Sequence, residues 1–250
     1  MLLKNRVALV TGSSRGIGAA CAELLANNGA AVGVNYSRNQ EAGQGVVDRI
    51  QSAGGKACLI QGDARNQDQV REMVATVADT LGPIDILVNN ANISFPIKPF
   101  MEFTWEEMEG KLTGEMKASF FSCQAVVPGM IEKGYGRIIN ISSGLSINAG
   151  HGFVAHSTAK NGLNAFTRAL ALELGPMGIT VNTVSPGLTE TDATSFLAKE
   201  AKEGAAAHTP LKRIGLPDDI AGAVLFFASE FSGFLTGTYV PVDGGSTMPQ

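Results

Sequence analysis

The chain has 250 residues, 44% hydrophobic and 17% charged, which supplies apolar surface for one large core and excludes a disordered chain. A single domain over 1–250 can absorb that length. The formal net charge of -4 comes from mixed acids and bases that leave no basic stripe for nucleic acid or an anionic membrane, and no apolar run is long enough to span a bilayer.

Met1-Leu2-Leu3-Lys4 leads directly towards the first strand, so no targeting segment is expected. Val7–Val10 reads as a buried strand, and residues 16–28 then repeat apolar side chains at helical spacing up to Gly29. Further strands are predicted at 31–35, 57–61, 84–89, 137–142, 180–184 and 239–242, with helices over 38–53, 66–81, 104–133, 153–175 and 217–229. Strands separated by helices run parallel with right-handed crossovers. The expected fold is therefore α/β, a single-domain Rossmann-like doubly wound parallel sheet of about seven strands with helices on both faces. Ligands of such sheets bind outside the carboxyl ends of the strands, so the loops after Val10, Asn35, Gln61, Asn89, Ser142 and Val184 should line the site. The stretch near 188–210, after Pro186-Gly187, is expected to be a mobile substrate lid. Cys21, Cys58 and Cys123 are isolated and odd in number, which fits small core residues in a reducing cytoplasm.

Between the first strand and the first helix lies Thr11-Gly12-Ser13-Ser14-Arg15-Gly16-Ile17-Gly18. Glycines permit close backbone approach, and the amides and positive dipole end of a helix favour a pyrophosphate. The segment reads as a dinucleotide cradle. Its spacing, G-x-x-x-G-x-G, differs from the general G-x-G-x-x-G fingerprint, and the strand-to-helix context carries the assignment.

Together with Asn89-Asn90-Ala91, Asn140-Ile141-Ser142-Ser143, Pro186-Gly187 and Val242-Asp243-Gly244-Gly245, this cradle resembles the short-chain dehydrogenase/reductase family along the entire chain. Arg213-Ile214-Gly215-Leu216-Pro217 and Leu235-Thr236-Gly237 bring it nearest to oxoacyl-carrier-protein-reductase-like members. The resemblance implies a nicotinamide cofactor, a small-molecule or acyl-carrier-bound substrate, and a homo-oligomer, tetramer or dimer. The apolar carboxyl-terminal strand and the helix carrying Phe166 are candidate twofold interfaces.

An acid at the end of the second strand would bond a ribose 2′-hydroxyl and repel a 2′-phosphate, but that stretch reads Asn35-Tyr36-Ser37-Arg38. Arg15 and Arg38 can meet a phosphate with charge-assisted bonds, which favours NADP(H) over NAD(H). Cofactor-binding positions are thus expected at Gly12, Ser14, Arg15, Gly16, Ile17, Gly18, Tyr36, Ser37 and Arg38. The resemblance adds Asp63 and Ala64 at the adenine, Asn89 at a ribose with Ala91 beside it, and Pro186, Gly187, Thr189 and Thr191 at the nicotinamide end.

Hydride addition to a carbonyl builds negative charge on oxygen, which calls for a proton donor and hydrogen-bond donors at that oxygen. The resemblance implies that a serine, a tyrosine and a lysine fill these roles. Lys160 matches the lysine, and Ser143 the serine, but the position four before Lys160 is His156. Glu115 stands where the family has an asparagine that anchors a relay water, and Asn92 follows Asn89-Asn90-Ala91 where the family has glycine. These changes read as altered chemistry. His156 has three readings: proton donor, neutral hydrogen-bond donor to the substrate oxygen, or inert filler of the tyrosine's space. One unit charge about 6 Å away contributes roughly 2.8 kcal/mol at an effective dielectric of about 20, so the placement of Glu115 decides the ring's protonation.

His151 reads as a loop residue and His208 lies near the lid; without ligand spacing among histidines and carboxylates, no catalytic metal is expected. Phe120-Phe121 and Phe226-Phe227 read as core or interface. Three activities remain open at this point. One is NADP(H)-dependent carbonyl reduction with Ser143, His156, Lys160 and Glu115 at the centre. Another is double-bond reduction or a non-redox step with His156 and Glu115 as acid and base. The last is cofactor binding without catalysis.

Overall fold

Strand β1 (Val7–Val10) consists of four buried apolar residues, the composition of a strand covered on both faces. Its alternation sends Ala8 and Val10 into one hydrophobic layer and Val7 and Leu9 into the other. The same sorting occurs in β4 (Ile86–Asn89) and β5 (Gly136–Ile141), where Val88 and Ile139 face one layer and Leu87 and Ile138 the other. With β2 (Ala31–Tyr36), β3 (Lys56–Gln61), β6 (Ile179–Pro186) and β7 (Tyr239–Val242), these strands form one parallel sheet of order β3-β2-β1-β4-β5-β6-β7. The computed structural model describes residues 1–248.

Helices α1 (Gly16–Asn27), α2 (Gln40–Ser52) and α7 (Pro217–Ala228) cover one face through Leu25, Val46, Ile50, Val224 and Phe227. On the opposite face lie α3 (Gln67–Leu81), α4 (Trp105–Lys133) and α5 (Val154–Leu174), anchored by Val70, Val77, Val126, Met130 and Ala171. Each fully buried side chain such as Leu25 or Phe227 contributes about 1.5–3 kcal/mol, and these layers fix where the helix ends point. Helices α2, α3 and α4 start on side-chain caps from Asn39, Asn66 and Thr104, whereas α1 has none. Because β1 has β2 on one side and β4 on the other, the chain leaves it in opposite directions and opens a crevice at the carboxyl ends.

The doubly wound sheet and its seven strands match the sequence reading, and the principal helix ends differ from it by one or two residues. Strand β4 starts at Ile86, two residues later than predicted. The Asp85 carboxylate there accepts from the Val7 amide at 2.9 Å, taking a hydrogen bond that a strand carbonyl would otherwise accept. Strand β6 is longer at both ends because β5 pairs with it from Ile179 and β7 pairs with it as far as Pro186. The stretch expected as a lid contains a helix that the sequence reading omits, α6 (Lys199–His208), with no buried residue.

Candidate active site

The cradle is assembled from three strand ends. Gly12 sits at φ 62, where a Cβ would lie 2.9 Å from the Ala91 Cα, so only glycine fits the close approach to the loop after β4. Asn90 donates from Nδ2 to the carbonyls of Thr11 and Gly12, both at 3.0 Å, and Gly18 leaves room for that amide. From β2, Asn35 accepts the Gly12 amide at 2.9 Å and donates to the Gly62 carbonyl at 3.0 Å. Asn35 is therefore a buried support of the loop. With Arg15 as an N-cap that makes no side-chain capping bond, the first amides of α1 are free for an anion. This cradle fits the pyrophosphate of a dinucleotide, with Gly12, Ser14, Gly16, Ile17 and Gly18 supplying backbone around it.

Arg15 and Arg38 are both exposed at the rim, Arg15 with its Nη1 3.7 Å from an Asp192 carboxylate oxygen. A bidentate pair with Arg65 holds the Asp63 carboxyl below the usual range, against burial, and the Arg38 charge adds to the effect. That places the Arg38 charge near the loop that carries Asp63. Ser37 is exposed, while Tyr36 and Ala64 are buried and offer only backbone to a ligand. The Asn89 side chain turns into the sheet, donating to Asn140 Oδ1 at 2.8 Å, and so does not itself face the crevice. Thr191 packs 3.5 Å from the place a Cβ on Gly16 would take, which brings the loop after Pro186 and Gly187 over the cradle. Thr189 donates to the Gly187 carbonyl at 3.0 Å.

Beside the cradle, α5 carries His156 and Lys160 one turn apart, both buried. Lys160 Nζ donates to the Ile141 carbonyl at 2.8 Å, and Ser142 Oγ donates to the Lys160 carbonyl at 3.4 Å. These bonds hold the helix against the strand end that carries Ser143. Ser143 Oγ accepts from the Leu145 amide at 3.2 Å and keeps its own proton for another acceptor.

Glu115 stands between two ammonium groups, with Oε1 2.5 Å from Lys160 Nζ and Oε2 2.6 Å from Lys111 Nζ. Lys111 also donates to Asn92 Oδ1 at 3.1 Å and to the Ile93 carbonyl at 3.0 Å. Only 1% of Lys111 and 2% of Glu115 is exposed, so this is an interior Lys-Glu-Lys array. The His156 ring stacks on Phe95 and meets Phe153 edge-on. Its Nδ1 is sealed without a partner, which leaves Nε2 as the nitrogen for a ligand.

Electrostatics follow from that packing. Burial pushes the Glu115 carboxyl up, but Lys160 and Lys111 outweigh it and hold the group below the carboxylate range. Burial also pulls Lys111 down to about 8, with Glu115 resisting and Lys160 adding to the fall. His156 is pushed down to about 3 by burial and then by the charges of Lys111 and Lys160, against Glu115. The ring is neutral near pH 7. Of the three roles for His156, the imidazolium acid is the one this environment opposes, because the supporting charge of Glu115 is already matched by two lysines.

Lys111 is the site residue that the sequence reading passed over. The one signal was Lys111 and Glu115 at i,i+4 on a helix face otherwise occupied by core positions. His151 lines a cavity of about 410 Å³ with Lys98, Ser157 and Thr158, separate from the His156 ring. His208 ends α6, its Nδ1 2.8 Å from the Gly204 carbonyl. Among the described residues no group of three His, Cys, Asp or Glu side chains is placed to hold a metal ion.

A family model described as Enoyl-(Acyl carrier protein) reductase matches residues 12–247. The 3-oxoacyl-(acyl-carrier-protein) reductase FabG of Vibrio cholerae serotype O1 is 38% identical over 251 residues, covering 99% of this chain and 100% of that one. L-rhamnose 1-dehydrogenase (NAD(P)(+)) of a Sphingomonas species is 34% identical over 247 residues, covering 98% of this chain and 97% of that one. Among solved structures, a blue fluorescent protein from a metagenomic library in complex with NADPH is similar with TM-score 0.91 at 36% identity, covering 99% of this chain and 100% of that one.

Proposed function

Because the chain belongs to the short-chain dehydrogenase/reductase family, we propose that it is an NADP(H)-dependent oxidoreductase that reduces a carbonyl group on a small-molecule or acyl-carrier-bound substrate. The observation that carries this reading is that His156 and Lys160, one turn apart on α5, are buried against the strand end that leads into Ser143, in a fold with an uncapped, glycine-lined helix start. NADPH in the structural relative and the carbonyl-reductase name of the Vibrio relative support it.

A bound nicotinamide supplies the hydride. Ser143 Oγ donates to the substrate oxygen and stabilises the charge that builds there. His156, as a neutral imidazole, donates from Nε2–H to the same oxygen, a role in which a group polarises a carbonyl without carrying charge. Lys160 uses two of its three N–H donors on Ile141 and Glu115 and keeps the third for a ribose hydroxyl. Arg15 and Arg38 meet the 2′-phosphate, and Pro186, Gly187, Thr189 and Thr191 border the nicotinamide. Hydride addition leaves an alkoxide that takes its proton from solvent water, the hydroxide passing to bulk, while neutral His156 and Ser143 hold the oxygen and keep their own protons.

A non-redox step through His156 and Glu115 needs a free carboxylate, and both Glu115 oxygens are engaged by ammonium groups. Residues 188–210 serve as the substrate lid, with α6 as its rigid part. The protein works as a homo-oligomer, tetramer or dimer, through surfaces bearing exposed Phe120, Leu172, Phe231 and Phe234. Three unpaired cysteines and the absence of any described helix long and apolar enough to cross a membrane support a cytoplasmic site of action.

Turnover followed by NADPH absorbance against 3-oxoacyl thioesters and activated ketones tests the proposal. Oxidation of NADPH with formation of the hydroxy product is expected. Tight NADPH binding with no turnover on either class would overturn reduction in favour of a cofactor-binding protein without catalysis.

A further inference from the structure

We propose that Lys111 is a positioning residue for the reaction centre, matched to Glu115 on the same helix and acting on His156 through that carboxylate and through Phe95. The inference deepens the reductase reading and rests on it for its catalytic meaning. Lys111 and Glu115 lie one turn apart on α4 with their side chains 0% and 2% exposed, so neither charge is a solvated face. All three ammonium donors of Lys111 are used, on Glu115 Oε2, Asn92 Oδ1 and the Ile93 carbonyl. The same ammonium lies 5.0 Å from the Phe95 ring centroid. It thereby ties the segment that carries Phe95 to the helix that carries Glu115, and Phe95 is the ring on which His156 stacks.

Charge counting gives the pairing its test. Lys111, Glu115 and Lys160 together carry one net positive charge beside His156. Those three are the charged groups facing the ring, two from α4 and one from α5, since Phe95 and Phe153 complete its walls without charge. Losing Lys111 leaves Glu115 against Lys160 alone and removes a cation from the ring's surroundings. Losing Glu115 sets two ammonium groups against each other. Losing both restores one net positive charge on Lys160. A residue that merely fills space produces additive damage, whereas a matched pair produces mutual rescue.

The experiment compares Lys111→Met, Glu115→Asn and the double variant, reading the His156 titration by NMR of the imidazole carbons and the melting temperature of each. Lys111→Met should raise the His156 titration by about one to two pH units, the effect of one charge at close range in a protein interior. The double variant should bring it back towards the parent value. It should also melt above Glu115→Asn alone. A folded Lys111→Met protein whose His156 titrates as in the parent would overturn the inference, as would a double variant titrating like Lys111→Met. Should Lys111→Met fail to fold, the comparison of Glu115→Asn with the double variant decides, and equal or lower melting of the double sinks the pairing. None of these readouts needs substrate or turnover, so failure of the pairing and failure of the reductase reading give different results.

Discussion

The rings of Phe95 and His156 lie 4.5 Å apart at their centroids and 17° from parallel. An imidazolium on a phenyl face would gain roughly 0.5–2 kcal/mol of cation–π attraction. Desolvation and two nearby ammonium groups act in the other direction and win, with His156 pushed down to about 3. The stack therefore holds a neutral ring whose sealed Nδ1 has no partner. The ring thus offers a hydrogen-bonding edge at Nε2 whose charge does not change through the neutral range.

That depressed value makes stability depend on pH. In the unfolded chain His156 binds a proton below about 6.5, while in the folded protein it does so only below about 3. Between these values the unfolded state holds more protons, so the contribution is full above pH 6.5 and is lost as pH falls towards 3. Relative to His156→Gln, the parent should lose up to roughly 3 kcal/mol more stability between pH 7 and 4, an upper bound from about 1.4 kcal/mol per unit. Urea unfolding midpoints at each pH measure it, and parallel curves for the two proteins would defeat the argument.

Cofactor choice rests on the exposed rim. With no acid after β2 and Arg15 and Arg38 at the adenine side, NADPH should bind at least about tenfold more tightly than NADH, or about 1.4 kcal/mol. Arg38→Ala should shrink that gap and leave NADH affinity nearly unchanged. Equal affinities in calorimetry would reject the 2′-phosphate assignment. Asp192, 3.7 Å from Arg15, competes for that guanidinium, so Asp192→Asn should widen the preference.

Much of the fold was legible because most of the strands carry short apolar runs flanked by amphipathic helices, and period-two sorting requires both faces to be covered. Helix α6 escaped because it buries nothing and periodicity had no face to find; its Ala, Lys and Glu residues form a helix on propensity alone. At the site, Ser143, His156, Lys160 and Glu115 could be picked out through the resemblance to the family's motifs, and the structure brings Glu115 into contact with Lys160. Lys111 was passed over for a physical reason. A lysine on a helix is read as solvated, and its burial depends on Asn92, Ile93 and Glu115 converging from separate segments.

Two glycines separate cradle geometry from helix propensity. A Cβ on Gly18 would overlap Asn90 Nδ2 and lie 2.5 Å from the Gly12 carbonyl oxygen, so Gly18→Ala must displace the loop. Overpacking of this kind costs about 1–3 kcal/mol, and NADPH binding should fall with it. Gly222, in the middle of α7, has open space for 4 Å around the place a Cβ would take, and Gly222→Ala should stabilise by about 0.5–1 kcal/mol with NADPH binding unchanged. Equal melting temperatures for both variants would contradict this account.

The role of His156 is separated from its volume by three substitutions. His156→Phe keeps a ring on Phe95 and removes the nitrogen that faces substrate, whereas His156→Ala removes both. If Nε2–H stabilises the developing oxyanion, both variants should lose about 10²–10³ in kcat, because one transition-state donor is worth roughly 2.7–4 kcal/mol. If the ring is inert filler, His156→Phe should keep its rate and only His156→Ala should suffer. His156→Tyr supplies a phenol four residues before Lys160, but the Lys160 ammonium already has Glu115 as its partner, and that carboxylate blunts its pull on the phenol. Tyrosine alone should therefore work less well than tyrosine combined with Glu115→Asn, and for ketone reduction the pair should show a kcat profile that falls with a new ionisation above neutrality, as the phenol that donates the proton is lost. Calorimetric NADPH binding by each variant guards against misfolding. Full activity in His156→Phe on the same ketone would remove the His156 hydrogen bond from the mechanism and leave Ser143 as the donor at the substrate oxygen.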